Sequence, residues 1–239
     1  MAKEFGVTIL KRNNYNPRSY TLSCTKHSLG NSLELANSFY ESGHFETAQP
    51  NFLTGNHATE VDDTYFSDQW GLKNTGQYHS LSGFDINICD AWDITQGDNN
   101  ITVAVIDQGV EVDHDDLNNI SNLKYNSEVQ MTIHTVYGPH GMAVAGIIGA
   151  SIDNTEGIAG IAPGTQLMSI SNDLEGDDLE TEAEYADAID WAVNHDADVI
   201  SISWGSDDLY NEDIVEEIEV ALTDGRDGLG CVVVVSAGN

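Results

Sequence analysis

The chain has 239 residues, 40% of them hydrophobic, enough for one large α/β domain or a small domain beside a medium one, and too many for global disorder. Eight Lys and Arg stand against 40 Asp and Glu, a formal net charge of −32. Such a surface repels nucleic acid and anionic membrane, so neither is expected as a partner; it suits solubility, high salt or Ca²⁺ binding, and composition does not choose among these.

The charge is uneven. Residues 1–57 carry five basic residues (Lys3, Lys11, Arg12, Arg18, Lys26) and four acidic ones (Glu4, Glu34, Glu41, Glu46), whereas residues 58–239 carry three basic and 36 acidic. A shift this abrupt predicts two regions with different surroundings. Cys24, Cys89 and Cys231 show no metal-type spacing and no disulfide framework. No apolar stretch approaches a membrane span, and the opening Met-Ala-Lys-Glu-Phe-Gly lacks the apolar core of a signal peptide.

In chain order, residues 5–10 read as a strand. Residues 32–40 read as a helix, with Leu33, Leu35 and Phe39 near helical spacing, that ends before Gly43. Residues 45–52 read as an extended return containing Pro50. Together they predict a small α+β unit over 1–57, followed by a polar, acidic linker near 55–63. From residue 101 onward, apolar runs at 101–106, 166–171, 198–203 and 231–236 alternate with helical patterns at 141–150, 178–195 and 212–223. In the second helix Tyr185, Ile189, Ala192 and Val193 share one face; in the third, Ile214, Ile218 and Leu222 recur every four residues. Short, wholly apolar strands alternating with helices predict a mainly parallel α/β sheet covered on both faces, spanning 58–239.

Chemistry-bearing residues gather where these runs end. Asp107 closes Thr-Val-Ala-Val-Ile and is followed by Gly109, at the carboxyl end of a buried strand, where open parallel sheets place their ligand sites. His140 precedes a helix of small residues that can pack close to the sheet. Ser203, Trp204 and Gly205 follow another strand and offer backbone to an extended peptide. Asn239 ends Cys-Val-Val-Val-Val-Ser-Ala-Gly with an amide able to donate to an oxyanion. Taken singly, each has a plain structural explanation: a turn Asp, a helix-start His, a glycine turn with Trp204 as core, a turn Asn. The acidic clusters 113–116 and 173–178 could hold structural Ca²⁺, but with 36 acids in the region a solvated acidic surface accounts for them.

Taken together, these segments resemble the subtilisin-like serine proteases (subtilases). Val-Ala-Val-Ile-Asp107-Gln-Gly-Val with Asp113-His114-Asp115-Asp116-Leu117 is similar to the family's Asp segment, although Gln108 stands where Thr or Ser is usual and Asp115 where Pro is usual. His140-Gly-Met-Ala-Val-Ala-Gly146 is similar to the His segment, with Met142 for the usual Thr. The Gly-Ile-Ala-Gly-Ile-Ala-Pro run at 157–163, Ser203–Gly205 and the closing Ser-Ala-Gly-Asn also fit, over residues 63–239.

The resemblance implies a serine endopeptidase acting on polypeptides through an Asp-His-Ser triad, with no cofactor required for the chemistry. It implies that Asp107 orients His140, that His140 is the base, that Asn239 binds the oxyanion and that Ser203, Trp204 and Gly205 hold substrate. It further implies that residues 1–57 are an intramolecular propeptide and that the enzyme works outside the cell. The family's nucleophile lies in a Gly-Thr-Ser-X-Ala segment, and this sequence contains no Gly-Thr-Ser. The chain is therefore expected to be truncated before its serine and inactive alone. The alternatives are a pseudoprotease that binds peptides and one half of a split protease.

Overall fold

The computed structural model describes residues 3–12, 18–50, 61–176, 179–205 and 211–238. The chain divides into two compact units, Met1–His57 and Ala58–Asn239.

In the first unit β1 (Thr8–Arg12) pairs antiparallel with β2 (Tyr20–Ser23), and α1 (Ser32–Glu41) follows. Asn31 and Glu34 form a reciprocal capping box that satisfies the helix's first N–H groups. Val7, Leu35 and Phe39 make a small core, with Phe5 tilted against Phe39 at a ring separation of 5.1 Å and Phe45 edge-on to it at 5.4 Å. Two expectations shift here. The strand begins at Thr8 because residues 3–6 form a turn, which turns Phe5 toward Phe39. Residues 45–50 form no strand, and 51–52 lie outside the described residues.

The second unit is built on a five-stranded, wholly parallel sheet in the order β4-β5-β3-β6-β7. Its strands are β3 (Thr102–Asp107), β4 (Ile120–Asn126), β5 (Gln166–Ser171), β6 (Val199–Ile202) and β7 (Val232–Val235). The helices are α2 (Ile88–Trp92), α3 (His140–Gly149), α4 (Leu179–Asn194), α5 (Glu212–Thr223) and the short α6 (Gly225–Gly228). Because strand side chains alternate, β3 feeds two cores at once. Val103 and Val105 pack with Leu167 against Ala145 of α3. Ala104 and Ile106 pack with Ile200 and Ile202 against Ala188, Ile189 and Ala192 of α4 and Ala221 of α5. The architecture is thus α/β with helices on both faces, as the apolar runs predict.

β4 and α2 were not legible in the sequence. β4 is an edge strand in which Asn122 and Leu123 are exposed and Ser, Asn and Lys interrupt the apolar residues, so Ile-Ser-Asn-Leu-Lys-Tyr-Asn lacks an apolar run. At the other edge, β7 exposes Val232, Val234 and Val235 by half or more. The central strand β3 sits between β5 and β6, and the chain visits β4 and β5 on one side before crossing to β6 on the other. That reversal opens a crevice at the carboxyl end of β3, where Asp107 lies.

Candidate active site

Asp107 is fully buried at the end of β3. An isolated buried carboxylate is strongly disfavoured, so its hydrogen bonds decide whether it can stay charged. Its Oδ1 accepts from the Gln108 N–H at 2.8 Å, and its two oxygens lie 2.8 and 3.0 Å from His140 Nδ1. A carboxylate can only accept, so Nδ1 carries the proton, and Nε2 is the basic nitrogen of the neutral ring. The His140 side chain is 52% exposed, and among the described residues no group hydrogen-bonds Nε2. The pair therefore joins a half-exposed imidazole to a carboxylate kept dry.

Close packing sets this geometry. α3 begins at His140, and a Cβ on Gly141 would lie 2.5 Å from the Gly109 carbonyl oxygen, so only glycine lets the helix start approach the Asp107 turn. The turn itself is pinned from three sides. The Val110 N–H donates to Ser169 Oγ, the Tyr137 N–H donates to the Gln108 carbonyl at 2.7 Å, and the Asn172 N–H donates to the Asp107 carbonyl at 3.0 Å.

Trp204 Nε1 donates to the Ile106 carbonyl at 2.8 Å, which places the end of β6 beside Asp107. The Trp204 ring lies 4.2 Å from Tyr185, half-buried against the core, so its body packs as core while Gly205 remains exposed. The Tyr185 hydroxyl is pushed up to about 12 by burial, with Asp173, Glu184 and Glu128 adding to the rise. Ser236 Oγ donates to the Trp204 carbonyl and brings the end of β7 to the same place. Asn239 lies outside the described residues. Gln108 and Asn172 join the site without having been singled out as functional; Gln108 was visible only as a departure from the usual Thr or Ser.

A second polar group lies away from this pair. Asp62, Asp63 and Asp153 bring carboxylate oxygens within 4.8 Å of one another. Asp63 is 5% exposed and, among the described residues, its Oδ1 has no hydrogen-bond partner, while Oδ2 accepts from the Asp153 N–H at 2.9 Å. Burial, with the nearby Asp116 and Asp153 charges adding, holds the Asp63 carboxyl above the ordinary range despite that bond. This is neither of the clusters seen in the sequence. Asp116, from the first of them, is itself buried and is used internally, accepting from Asn154 Nδ2 and the Ile158 N–H.

The family model of Peptidase S8, the subtilase family, matches residues 98–239. The chain belongs to the subtilase family. Among relatives, the thermophilic serine proteinase of Bacillus sp. (strain AK1) is 34% identical over 200 residues, covering 81% of this chain and 44% of that protein. The calcium-dependent protease of Nostoc sp. (strain PCC 7120) is 29% identical over 254 residues, covering 98% of this chain and 37% of that one. The serine protease of Aeromonas sobria, solved in complex with the chaperone ORF2, superposes with a TM-score of 0.62 at 25% identity, covering 74% of this subtilase chain and 32% of that one. The chain spans less than half the length of the curated relatives it matches.

Proposed function

We propose that this subtilase chain carries the acid and base of a serine-type endopeptidase. The observation behind the reading is the hydrogen bond between fully buried Asp107 and half-exposed His140 at the carboxyl end of the central strand. In this reading His140 Nε2 takes the proton of a serine hydroxyl as it attacks the scissile carbonyl, then returns it to the leaving amine. Asp107 fixes the ring and stabilises the imidazolium between those steps. Asn239 donates to the oxyanion, and the Ser203–Gly205 backbone aligns the substrate. Residues 1–57, with their separate core and opposite charge balance, are read as an intramolecular propeptide, and the working compartment as extracellular.

Residues 1–239 contain no Gly-Thr-Ser, and without a nucleophile an Asp–His pair does not acylate. A second reading is that the cleft binds peptides without turning them over. A fluorogenic peptide assay of the 239-residue chain, alone and mixed with a segment bearing Gly-Thr-Ser-X-Ala, separates the two. Hydrolysis only in the mixture supports the endopeptidase; binding with no hydrolysis in either supports the peptide-binding module.

We also propose that Asp62, Asp63 and Asp153 hold Ca²⁺. An unpartnered, buried carboxylate oxygen amid hard oxygen donors is a fit for that ion, and the relative from Nostoc is by name calcium-dependent. Bound there, Ca²⁺ would neutralise the cluster and tie residues 62–63 to the 153 turn, with no part in bond cleavage.

A further inference from the structure

We infer that Gln108 is a positioning residue for the base: its side-chain amide, lodged over Gly138, caps the helix that begins at His140 and ties it to the exit of β5. The inference rests on reading Asp107 and His140 as acid and base, but it concerns the geometry of the pair and not peptide cleavage.

A helix leaves its first N–H groups without intrahelical acceptors. In α3 the capping position is Pro139, which makes no side-chain cap, and the first turn carries no acid. The His140 N–H instead faces Gln108 Oε1 at 3.4 Å, while Gln108 Nε2 faces the Asp173 carbonyl at 3.3 Å. Neither contact is short enough to be strong alone. Their value is directional, because one rigid amide joins the base's own backbone to the strand exit across the crevice. The Gln108 backbone completes the link, its N–H on Asp107 Oδ1 and its carbonyl on the Tyr137 N–H. One residue thereby touches the acid, the start of the base's helix and the segment leading into that helix.

Gly138 supplies the independent evidence. A Cβ there would lie 2.2 Å from Gln108 Oε1 and 2.8 Å from Cδ, and its φ lies outside the left-handed region, so the backbone does not itself demand glycine. What glycine provides is room for this amide. The obstructing atoms are the far end of a flexible side chain, so a methyl group at 138 would leave the fold intact and move the amide. A side chain as short as Thr at 108 could not reach both partners.

The experiment follows the His140 Nδ1–H proton, bonded to Asp107, by ¹H NMR in the 239-residue chain, reading its shift and its exchange with water. The variants are Gly138→Ala, Gln108→Thr and the double variant, with circular dichroism verifying the fold. Each single change is expected to move the signal and to speed exchange about fivefold, the ordinary worth of one helix cap. The double variant should match Gln108→Thr alone, because the methyl group then has nothing to displace. A signal unmoved by either single change, or two effects that simply add, would overturn the assignment. A role confined to overall stability would shift melting and leave this proton unmoved.

Discussion

At the scale of single residues, the site is a problem of burying charge. Asp107 is fully buried yet serves three hydrogen-bonding contacts, whereas Asp63 is nearly as buried with one oxygen unserved. These two situations give opposite predictions. Asp107→Asn keeps the shape but removes the acceptor that fixes the His140 tautomer, so in an assembly that turns over, kcat should fall about 10⁴-fold with melting little changed. A loss of only a few-fold would remove Asp107 from its proposed role. Asp63, by contrast, has a raised pKa in the fold, so its stabilising contribution is present below the unfolded carboxylate pKa and is lost as pH rises through the folded value. At neutral pH without divalent cations its charge works against the fold. Asp63→Asn should therefore leave the melting temperature in EGTA unchanged or higher, and should abolish the gain that Ca²⁺ confers, about 2.7 kcal/mol at a hundredfold excess over Kd. Equal destabilisation in both buffers would dismiss the calcium proposal.

At the scale of elements, β3 shows why the framework is rigid where the pair needs it. Its alternate side chains enter two separate cores, so neither face can shift without disturbing the other. Ile189 of α4 lies fully buried in the larger core. Ile189→Ala should cost roughly 2–5 kcal/mol in denaturant unfolding, the range for a cavity that the surroundings fill only partly. A cost below about 1 kcal/mol would mean that α4 is loosely docked. The pairing of β6 with β7 is regular, and among the described residues Val232, Val234 and Val235 of β7 are half-exposed.

At the scale of the whole molecule, charge dominates. Glu217 is raised by burial and by Asp190, Glu216, Asp187 and Asp213; Glu184 is raised by burial and by Glu128, Glu180 and Asp173. The stabilisation from these groups is complete below about pH 4 and is lost as pH climbs through their raised folded values. Salt acts on the same repulsion, since the Debye length falls from about 10 Å at 0.1 M to about 3 Å at 1 M. The melting temperature at pH 7.5 should rise with NaCl, and rise less at pH 5, where these carboxylates carry less charge. A melting temperature independent of salt at both pH values would show that the repulsion is already relieved within the fold.

The α/β class and the family were legible because a parallel sheet buries both faces of its inner strands, so β3, β5 and β6 are largely apolar runs, and Asp107 ends one of them. Asp107 stands out for that reason, and His140 because it opens a helix of small residues; the alternation of runs and amphipathic helices after residue 101 is legible likewise. β4 escaped because an edge strand needs no apolar run. The grouping of Asp63 with Asp153 and the seating of Gln108 over Gly138 escaped because residues tens of positions apart share no periodicity. Only the order of strands in the sheet, and the close approach of α3 to the Asp107 turn, decided that these side chains meet; such contacts depend on the whole packed core and leave no local pattern in the chain.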